Sequence, residues 1–456
     1  MAVALSCPAM ALSLDPRGLL DPLELSPSAE EAAFARLRAA RERHLGAVPD
    51  WRGLGHRRDL LSACRSRVEE IRGTTAPDTL LVLGIGGSAL GTRALLDALA
   101  PLHQECGIGG GNCRVLVLDN VDPDGIAPLL AALEPAATHV AVVSKSGGTL
   151  EVRAQFLVVW RWLREALGAD EARARCTFVT DPERGLLRGL AETEGFAALP
   201  VPPGVGGRYS VLTPVGLFPA LMAGLDAESL LAGAADCAAR LAAADERHDP
   251  AGLLALAHVL HLQAGRPIHV HFVYSQRAAT LGAWFVQLWA ESLGKARTEQ
   301  GAAVAQAPTP LEAVGATDQH SKVQLFVEGP DDKVYLFVAV AESQDDVALP
   351  APDWDLAPLH ELAGRSLSEV LRAERIGTER ALREAGRPVG VLTLDRLDAE
   401  HLGRYFLLME ETTALAGRLM GVDPYDQPGV EAGKRIANRL LAEGVPAVAA
   451  ADRLTC

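Results

Sequence analysis

The amino-acid sequence predicts an α/β protein with two doubly wound parallel-sheet domains and a C-terminal helical arm. Short runs of apolar and β-branched residues alternate with helical stretches over residues 79–181, and a second set of such runs begins near residue 266. Near-continuous apolar strands joined by helical crossovers are typical of a parallel sheet covered on both faces. With 456 residues, the chain also exceeds what one hydrophobic core usually holds, which predicts two or three domains.

The first domain is expected at 71–247, after a helical segment at 1–70. Its predicted strands are TLLVLGI (79–85), RVLVLD (114–119), HVAVVS (139–144) and CTFVTD (176–181). Helices are predicted between them, at ALGTRALLDALA (89–100), PDGIAPLLAAL (123–133) and after Thr149. An alanine-rich stretch at 225–246 predicts a further helix, which the sequence HDPAG ends.

The second domain is expected at 248–422, followed by the arm at 423–456. Its predicted strands are RPIHVHFVYS (266–275), KVQLFVEG (322–329), KVYLFVAV (333–340) and RPVGVLTLD (387–395). The sequence EGPDDK between the second and third of these predicts a hairpin, so this sheet is expected to be partly antiparallel. The arm begins with the turn-rich YDQPG (425–429), and a helix is predicted over 430–443.

Composition excludes several classes of protein and site. The 43 basic and 58 acidic residues give a net charge of −15, which argues against a nucleic-acid partner. The seven cysteines are scattered without a C-x-x-C pair, which predicts free thiols in a reducing compartment and neither disulfides nor a zinc site. The sequence contains no uninterrupted apolar run of about 20 residues, so no membrane span is predicted. The start, MAVALSCPAMALSLDP, has no basic residue before Arg17 and does not fit a signal peptide. A cytoplasmic protein is therefore expected.

The segment SKSGGTLE (144–151) predicts a phosphate-binding loop. It follows the apolar run HVAVV and precedes a helical pattern, so unpaired N–H groups at a helix N-terminus and close glycine backbone meet at one point. The hydroxyls of Ser144, Ser146 and Thr149 add donors. Lys145 is one of only five lysines in a chain with 38 arginines, and lysine offers a compact, movable charge.

The glycine cluster LGIGGSALG (83–91) permits more than one interpretation. It contains G-x-G-x-x-A between a strand and a helix, so a dinucleotide-binding turn is one alternative and a tight turn without a ligand is another. The acidic residue that a dinucleotide fold needs about 20 residues further on is poorly matched, because Asp119 lies 35 residues from Gly84. Ser88, at the helix start, is placed to face a sugar hydroxyl or a phosphate.

Two further segments offer a cation and a base. GGRYS (206–210) places Arg208 in a glycine-flanked turn. In the helix predicted at 280–295, Gln287 and Glu291 are four residues apart and share a face. Glu291 lies in the last turn near two tryptophans, where the helix dipole and poor hydration make a carboxylate hold a proton more readily, as a general base requires. A solvated surface glutamate is the alternative.

Three histidines and a lysine complete the candidates. His320 ends a polar loop beside Asp318, and such a histidine is a candidate proton shuttle. Lys434, in VEAGKR, is either a functional lysine, which the scarcity of lysine in this chain favours, or an ordinary charge on a helix face. His269 and His271 alternate along one strand, which favours buried core roles, and no metal site is expected.

Taken together, these motifs resemble those of the glucose-6-phosphate isomerase family. GIGGSALG, SKSGGTLE, GGRYSVLTPVGLFP, the run from Gln287 through ESLGK, GATDQHS and YDQPGVEAGK occur in the family's order over about residues 80 to 440. The resemblance, closest to the shorter bacterial form, implies two sugar-isomerase (SIS)-type domains with a C-terminal arm. It also implies a homodimer with shared active sites, a sugar phosphate as substrate, and no metal or cofactor.

The resemblance also implies roles for individual residues. Glu291 would move a proton between C2 and C1 through a cis-enediolate, and Arg208 would stabilise the charge of that intermediate. His320, reaching in from the neighbouring subunit, and Lys434 would open the sugar ring. The remaining assignments are substrate or phosphate contacts: Gln287, Gln427, Ser88, Ser144, Lys145, Ser146 and Thr149.

One position departs from the family pattern, because Gly148 stands where many members carry a hydroxyl, leaving one donor fewer for the phosphate. The stretch at 296–314 matches no family segment. The expected reaction is the interconversion of glucose 6-phosphate and fructose 6-phosphate. Two alternatives stay open: a related aldose–ketose isomerase that also accepts mannose 6-phosphate, and a phosphosugar-sensing module without catalysis.

Overall fold

The computed structural model describes residues 12–100 and 113–445. The residues at 1–11, which hold most of the apolar start, therefore lie outside the described residues, as do Cys7, Cys106, Cys456 and the last part of the predicted arm. The four cysteines within the described ranges (Cys64, Cys113, Cys176 and Cys237) are buried free thiols, as predicted. No helix in these two ranges is long and apolar enough to cross a membrane.

The chain begins with a strand and three helices that precede the first sheet. These are β1 (Leu12–Asp15), α1 (Arg17–Leu20), α2 (Pro27–Gly46) and α3 (Arg58–Thr74), with 3-10 turns at Asp21–Leu23 and Asp50–His56. The segment predicted as helical at 1–70 thus contains a strand, and that strand belongs to the second sheet described below.

The first sheet and its helices follow in alternation, as the sequence predicted. The elements are β2 (Thr79–Leu83), α4 (Leu90–Leu99), β3 (Arg114–Leu118), α5 (Pro123–Ala132), β4 (Thr138–Val143), α6 (Leu150–Leu167), α7 (Ala169–Ala174), β5 (Cys176–Thr180), α8 (Leu186–Glu194), β6 (Ala197–Pro200), α9 (Pro214–Met222) and α10 (Ala227–Ala243). Further 3-10 turns lie at Gly86–Ser88, Pro135–Ala137 and Gly207–Tyr209. All strand pairs are parallel, in the order β3-β2-β4-β5-β6.

The second sheet is built from the later half of the chain and from β1. Its elements are α11 (Pro250–Gln263), β7 (Ile268–Tyr274), α12 (Thr280–Leu293), β8 (Thr309–Val314), α13 (Val323–Glu328), β9 (Lys333–Val340), α14 (Ala357–His360), α15 (Leu367–Glu384), β10 (Val389–Leu394), α16 (Ala399–Met420) and α17 (Glu431–Glu443), with 3-10 turns at Thr317–His320 and Pro428–Val430. The strand order is β1-β10-β9-β7-β8, and only β1 runs antiparallel to its neighbour.

The prediction of a hairpin at EGPDDK is wrong. KVQLFVEG forms the helix α13, and β9 pairs in parallel with both β7 and β10. Phe326 is fully buried, Val323 and Val327 pack against the same cluster, and Leu325 is exposed. That i, i+3, i+4 spacing is helical, and a short apolar run does not by itself distinguish it from a strand.

The two sheets share one hydrophobic core. A single cluster of buried side chains includes Leu80 and Val82 of the first sheet and Val338 and Leu392 of the second. Most residues of the long helix α16 between Ala399 and Gly417 are buried, and this helix packs against α10 and α11. The helix α12 packs on α4, which belongs to the first α/β unit, and on α16.

Candidate active site

Arg208 is the most constrained side chain of the candidate site. It lies in the 3-10 turn Gly207–Tyr209, and its side chain is 1 % exposed. Each of its five N–H groups donates to the protein: Nε to Ser292 Oγ (2.8 Å), Nη1 to Glu291 Oε2 (3.2 Å) and to Gln427 Oε1, and Nη2 to the carbonyl oxygens of Pro424 (2.7 Å) and Asp426 (3.0 Å). The guanidinium is therefore fixed in one orientation.

Glu291 occupies the last turn of α12, where the sequence predicted it. The apolar face of this helix, with Leu281, Trp284, Phe285 and Leu288, is buried as its spacing indicates. Glu291 Oε1 accepts a hydrogen bond from Gln287 Nε2 at 3.0 Å, and the other oxygen faces Arg208. The Glu291 side chain is 29 % exposed, so a solute can reach a carboxylate whose direction is set by two partners.

Glycines of the cluster at 83–91 allow this segment to lie close to Gln287, the partner of Glu291, and to the turn that carries Arg208. Gly86 has a positive φ of 57°, and a Cβ there would lie 2.9 Å from Gln287 Nε2. A Cβ on Gly87 would overlap the carbonyl group of Gly207, beside Arg208. Ser88, which ends this 3-10 turn, is partly exposed at the same place. Asp119, the acid considered for a dinucleotide fold, is instead paired with Arg93 at 2.9 Å.

The predicted phosphate loop lies beside that cluster. It follows β4, which is paired with β2, so the two loops leave neighbouring strands at their carboxyl ends. Strand order changes direction at β2, and ligands of open α/β sheets bind at such points. Ser144 Oγ and Thr149 Oγ1 are 2.9 Å apart, Gly148 N donates to Ser146 Oγ at 3.2 Å, and Thr149 is the N-cap residue of α6.

Lys145 differs from the other residues of this loop. Its Nζ donates to the carbonyl oxygens of Pro203 and Val205, the latter at 2.8 Å. Partial burial lowers the pKa of this ammonium below its ordinary value. The lysine thus joins the phosphate loop to the segment that leads into Gly207–Tyr209, a tertiary contact that the sequence pattern did not reveal.

His320 and Lys434 lie apart from this arrangement. His320 is exposed at the end of the turn Thr317–His320, and the Asp318 carboxylate beside it binds Ser321 and Lys322. Lys434 is exposed and forms an ion pair with Glu431 at 3.0 Å. Neither side chain forms a hydrogen bond with Arg208 or Glu291 within residues 12–100 and 113–445. Hydrogen bonds within one chain therefore join Arg208, Glu291, Gln287 and Gln427, and they include neither His320 nor Lys434.

Three other residues join the site although the sequence patterns gave them no role. Ser292 is fully buried and binds both Arg208 Nε and the Tyr209 hydroxyl. Asp426 accepts from Arg208 through its carbonyl group, and Lys295 pairs with the Asp426 carboxylate at 2.8 Å. The scarcity of lysine and the position of Lys295 in ESLGK were the available signals.

No group of three metal-ligating side chains occurs in the part of the chain that the structure describes. The two alternating histidines have core roles, as predicted. His269 accepts from Trp289 Nε1 at 3.1 Å, and His271 Nε2 is 2.7 Å from the Tyr405 hydroxyl. Burial lowers the pKa of each to about 3, so both imidazoles are neutral at physiological pH.

Comparison with known proteins gives consistent matches. The family model described as phosphoglucose isomerase matches residues 54–452. A glucose-6-phosphate isomerase from Rubrobacter xylanophilus is 45% identical over 406 residues, which cover 89% of this chain and 92% of that one. A hypothetical protein from Thermus thermophilus, of known structure, is 37% identical with a TM-score of 0.85, covering 94% of this chain and 100% of that one. A glucose-6-phosphate isomerase from Chlamydia trachomatis shares the fold, with 24% identity and a TM-score of 0.71 over 84% of this chain and 73% of that one.

Proposed function

The chain belongs to the phosphoglucose isomerase family, and on that premise we propose that it interconverts glucose 6-phosphate and fructose 6-phosphate. Moving a carbonyl group between C1 and C2 requires a base that carries a proton, a fixed cation beside the developing oxyanion, and an anchor for the phosphate. The observation that carries the proposal is the pair of Arg208 and Glu291, 3.2 Å apart at a solvent-accessible helix end.

In the proposed reaction Glu291 is the base. A carboxylate oxygen takes the proton from C2 of the open-chain aldose, and the electron pair of that C–H bond forms the C1–C2 double bond. The π electrons of the C1 carbonyl group move to O1, which gives the cis-enediolate. Glu291 then returns the proton to C1, and a proton passes from O2 to O1, leaving the ketone at C2.

Arg208 would stabilise the enediolate without having to move. When Glu291 takes up a proton it becomes neutral, so Nη1 loses its charged partner as a negative charge forms on the sugar oxygen. The other bonds of the guanidinium, to Ser292, Pro424 and Asp426, hold it in place during this exchange. A donor fixed before the reaction is the arrangement that stabilises developing charge most effectively.

We assign the phosphate to the loop that links β4 to α6. Ser144, Ser146 and Thr149 supply hydroxyls, and the N-terminus of α6 supplies unpaired N–H groups and a positive dipole end. Lys145 adds a positive charge beside the loop, and Ser88 faces the sugar from the glycine cluster. Gln287 and Gln427 would position sugar hydroxyls near the carboxylate, because both already contact the Arg208–Glu291 pair.

Ring opening is the step for which we propose a second subunit. His320 and Lys434 are exposed, and α17, which carries Lys434, has no buried residue. Ile436, Leu440 and Leu441 of this helix are exposed apolar side chains. A homodimer in which α17 covers the neighbouring subunit and His320 completes that subunit's site would account for both features. We also propose that the enzyme works in the cytoplasm.

The deciding experiment is a coupled assay with fructose 6-phosphate, in which glucose 6-phosphate is oxidised by an added dehydrogenase. We expect steady formation of the reduced nicotinamide, with the same rate after exhaustive chelation. Binding without turnover would indicate a phosphosugar-sensing module and overturn the proposal. Turnover of mannose 6-phosphate in a parallel assay would indicate the broader aldose–ketose isomerase.

A further inference from the structure

Lys295 is a buried cation whose three donors are all used. It follows Gly294, which ends α12, and its side chain is 6 % exposed. Nζ donates to the carbonyl oxygen of Glu291 at 2.9 Å, to the carbonyl oxygen of Asp426, and to Asp426 Oδ1 at 2.8 Å. An ammonium has three N–H donors, so none is left for a substrate.

Lys295 and Arg208 hold the same peptide segment from two sides. The carbonyl oxygen of Asp426 accepts from both cations, at 3.0 Å from Arg208 Nη2. The segment 424–427 also supplies the Pro424 carbonyl group and the Gln427 side chain to Arg208. The position of the guanidinium therefore depends on where this segment lies, and Lys295 ties the segment to the helix end that carries Glu291.

We infer that Lys295, through Asp426, is a positioning residue that fixes Arg208 opposite Glu291 for the isomerisation. This inference rests on the proposed function. Because protein oxygens accept from all three donors of the Lys295 ammonium, its role is geometric. Without Lys295, the Asp426 carboxylate has no ion-pair partner and segment 424–427 is no longer bonded to the end of α12. The carbonyl groups of this segment that bind Arg208 would then be free to shift, and the guanidinium would shift with them. Misplacing a catalytic group by even about 1 Å lowers rates strongly.

The test compares Lys295→Met and Asp426→Asn with a matched control. Lys333→Met removes another buried lysine, whose ion pair at the start of β9 is with Asp332 and not with segment 424–427. We expect Lys295→Met and Asp426→Asn each to lower kcat about 10- to 100-fold, with KM for fructose 6-phosphate within about 3-fold, because the phosphate loop is untouched. The double variant should lose no more than Lys295→Met alone, since that change already removes the ion pair that Asp426→Asn breaks.

Several results separate this inference from its alternatives. A kcat within about 2-fold of wild type for a folded Lys295→Met protein would overturn it, as would an equal kcat loss in Lys333→Met. Additive losses in the double variant would show that the two residues act independently. Should Lys295→Met fail to fold, Asp426→Asn carries the test by itself. Failure of the proposed function is distinguishable, because the wild-type protein would then be inactive in the same assay.

Discussion

Arg208 Nη1 lies 3.2 Å from Glu291 Oε2, and among the described residues this is the one hydrogen bond of the guanidinium to a carboxylate. Its remaining donors bind a hydroxyl, an amide oxygen and two carbonyl oxygens, all neutral. Among the described residues, the charge of the carboxylate is therefore the only formal charge that this arginine balances by direct hydrogen bonding. Proton uptake by Glu291 leaves that position free for an oxyanion.

Glu291→Gln should lower kcat by roughly 10²- to 10⁴-fold, because it removes the proposed general base. KM should change only a few-fold, since the amide retains the shape of the carboxylate and the phosphate loop is intact. Steady-state kinetics with fructose 6-phosphate measures both. Glu384→Gln, an exposed substitution on α15, is the control and should behave as wild type. Near-normal turnover of Glu291→Gln would refute the assignment.

Arg208→Lys should lower kcat by about 10²- to 10³-fold and affect KM much less, because the enediolate needs the cation more than the substrate does. Lysine keeps the charge but cannot reproduce five fixed donors. If KM rises while kcat is preserved, the arginine binds the ground-state phosphate and the oxyanion role is wrong.

Mixing two impaired variants tests the proposed homodimer, in which His320 would complete the partner's site. The His320→Ala and Glu291→Gln proteins should each retain at most about 1% of the wild-type activity. After subunit exchange, a heterodimer would hold one site with both defects and one with neither, as two-fold symmetry requires. Activity should return, up to about half of wild type per heterodimer. Mass spectrometry checks the exchange, and no recovery despite confirmed heterodimers would mean that His320 acts within its own chain or not at all.

Gly148→Thr should lower KM for fructose 6-phosphate several-fold, because it restores a hydroxyl donor in the phosphate loop and a bond to a charged group is favourable. A Cβ at Gly148 meets nothing closer than 4.0 Å, so the side chain has room. Gly147→Ala is the contrasting variant. Gly147 has a φ of 66°, and a Cβ there would lie 2.6 Å from Leu187 N, so this change should raise KM. An unchanged or raised KM in Gly148→Thr would show that the phosphate lies elsewhere.

The burial of Glu410 predicts that the unfolding free energy contains a pH-dependent contribution from this residue. It is fully buried in α16, and neither carboxylate oxygen has a hydrogen-bond partner among the residues that the structure describes. Burial, reinforced by the charge of Glu411, raises the pKa of Glu410 well above its ordinary value of 4.5. The folded protein thus keeps a proton that the unfolded chain releases, and the contribution of Glu410 to the unfolding free energy falls as pH rises above about 4.5.

Glu410→Gln removes this dependence. Relative to the variant, wild type should lose up to about 1.4 kcal/mol of unfolding free energy per pH unit above about pH 4.5, until the raised pKa is passed. Urea unfolding at pH 5, 6, 7 and 8 measures the difference between the two slopes. Parallel curves for wild type and Glu410→Gln would show that Glu410 is ionised in the folded state.

The parts of the site predicted from sequence are those that local patterns encode. The apolar face of α12 fixes which side of that helix Glu291 and Gln287 occupy, and a strand, loop and helix start identify the residues at 144–149. Contacts between distant segments were not accessible in this way. Lys145 reaches the carbonyl groups of 203 and 205, and Lys295 reaches Asp426, over at least 58 and 131 residues respectively. Nothing in the local periodicity of either lysine encodes its partner.

The fold, like the site, has parts that local sequence patterns predict and parts that depend on long-range contacts. Strands and crossovers of the first sheet follow from hydrophobic runs alone, whereas α13 was mistaken for a strand because six residues cannot separate the two periods. The pairing of β1 with β10 joins segments that are far apart in the sequence. Leu12 and Leu394, which are directly opposite in this ladder, are 382 positions apart, a distance over which a four-residue strand carries no signal of its partner.

That ladder makes the first sheet an insertion within the second. During synthesis β1 is made before the first sheet, and β10 is made after it. The strand β1 therefore cannot pair with β10 until most of the chain has been synthesised. A fragment consisting of 248–422 alone would expose the edge of β10, and exposed edges promote association between chains. The two sheets are therefore one unit of assembly, and cutting the chain between them would yield a half that is prone to pair with itself.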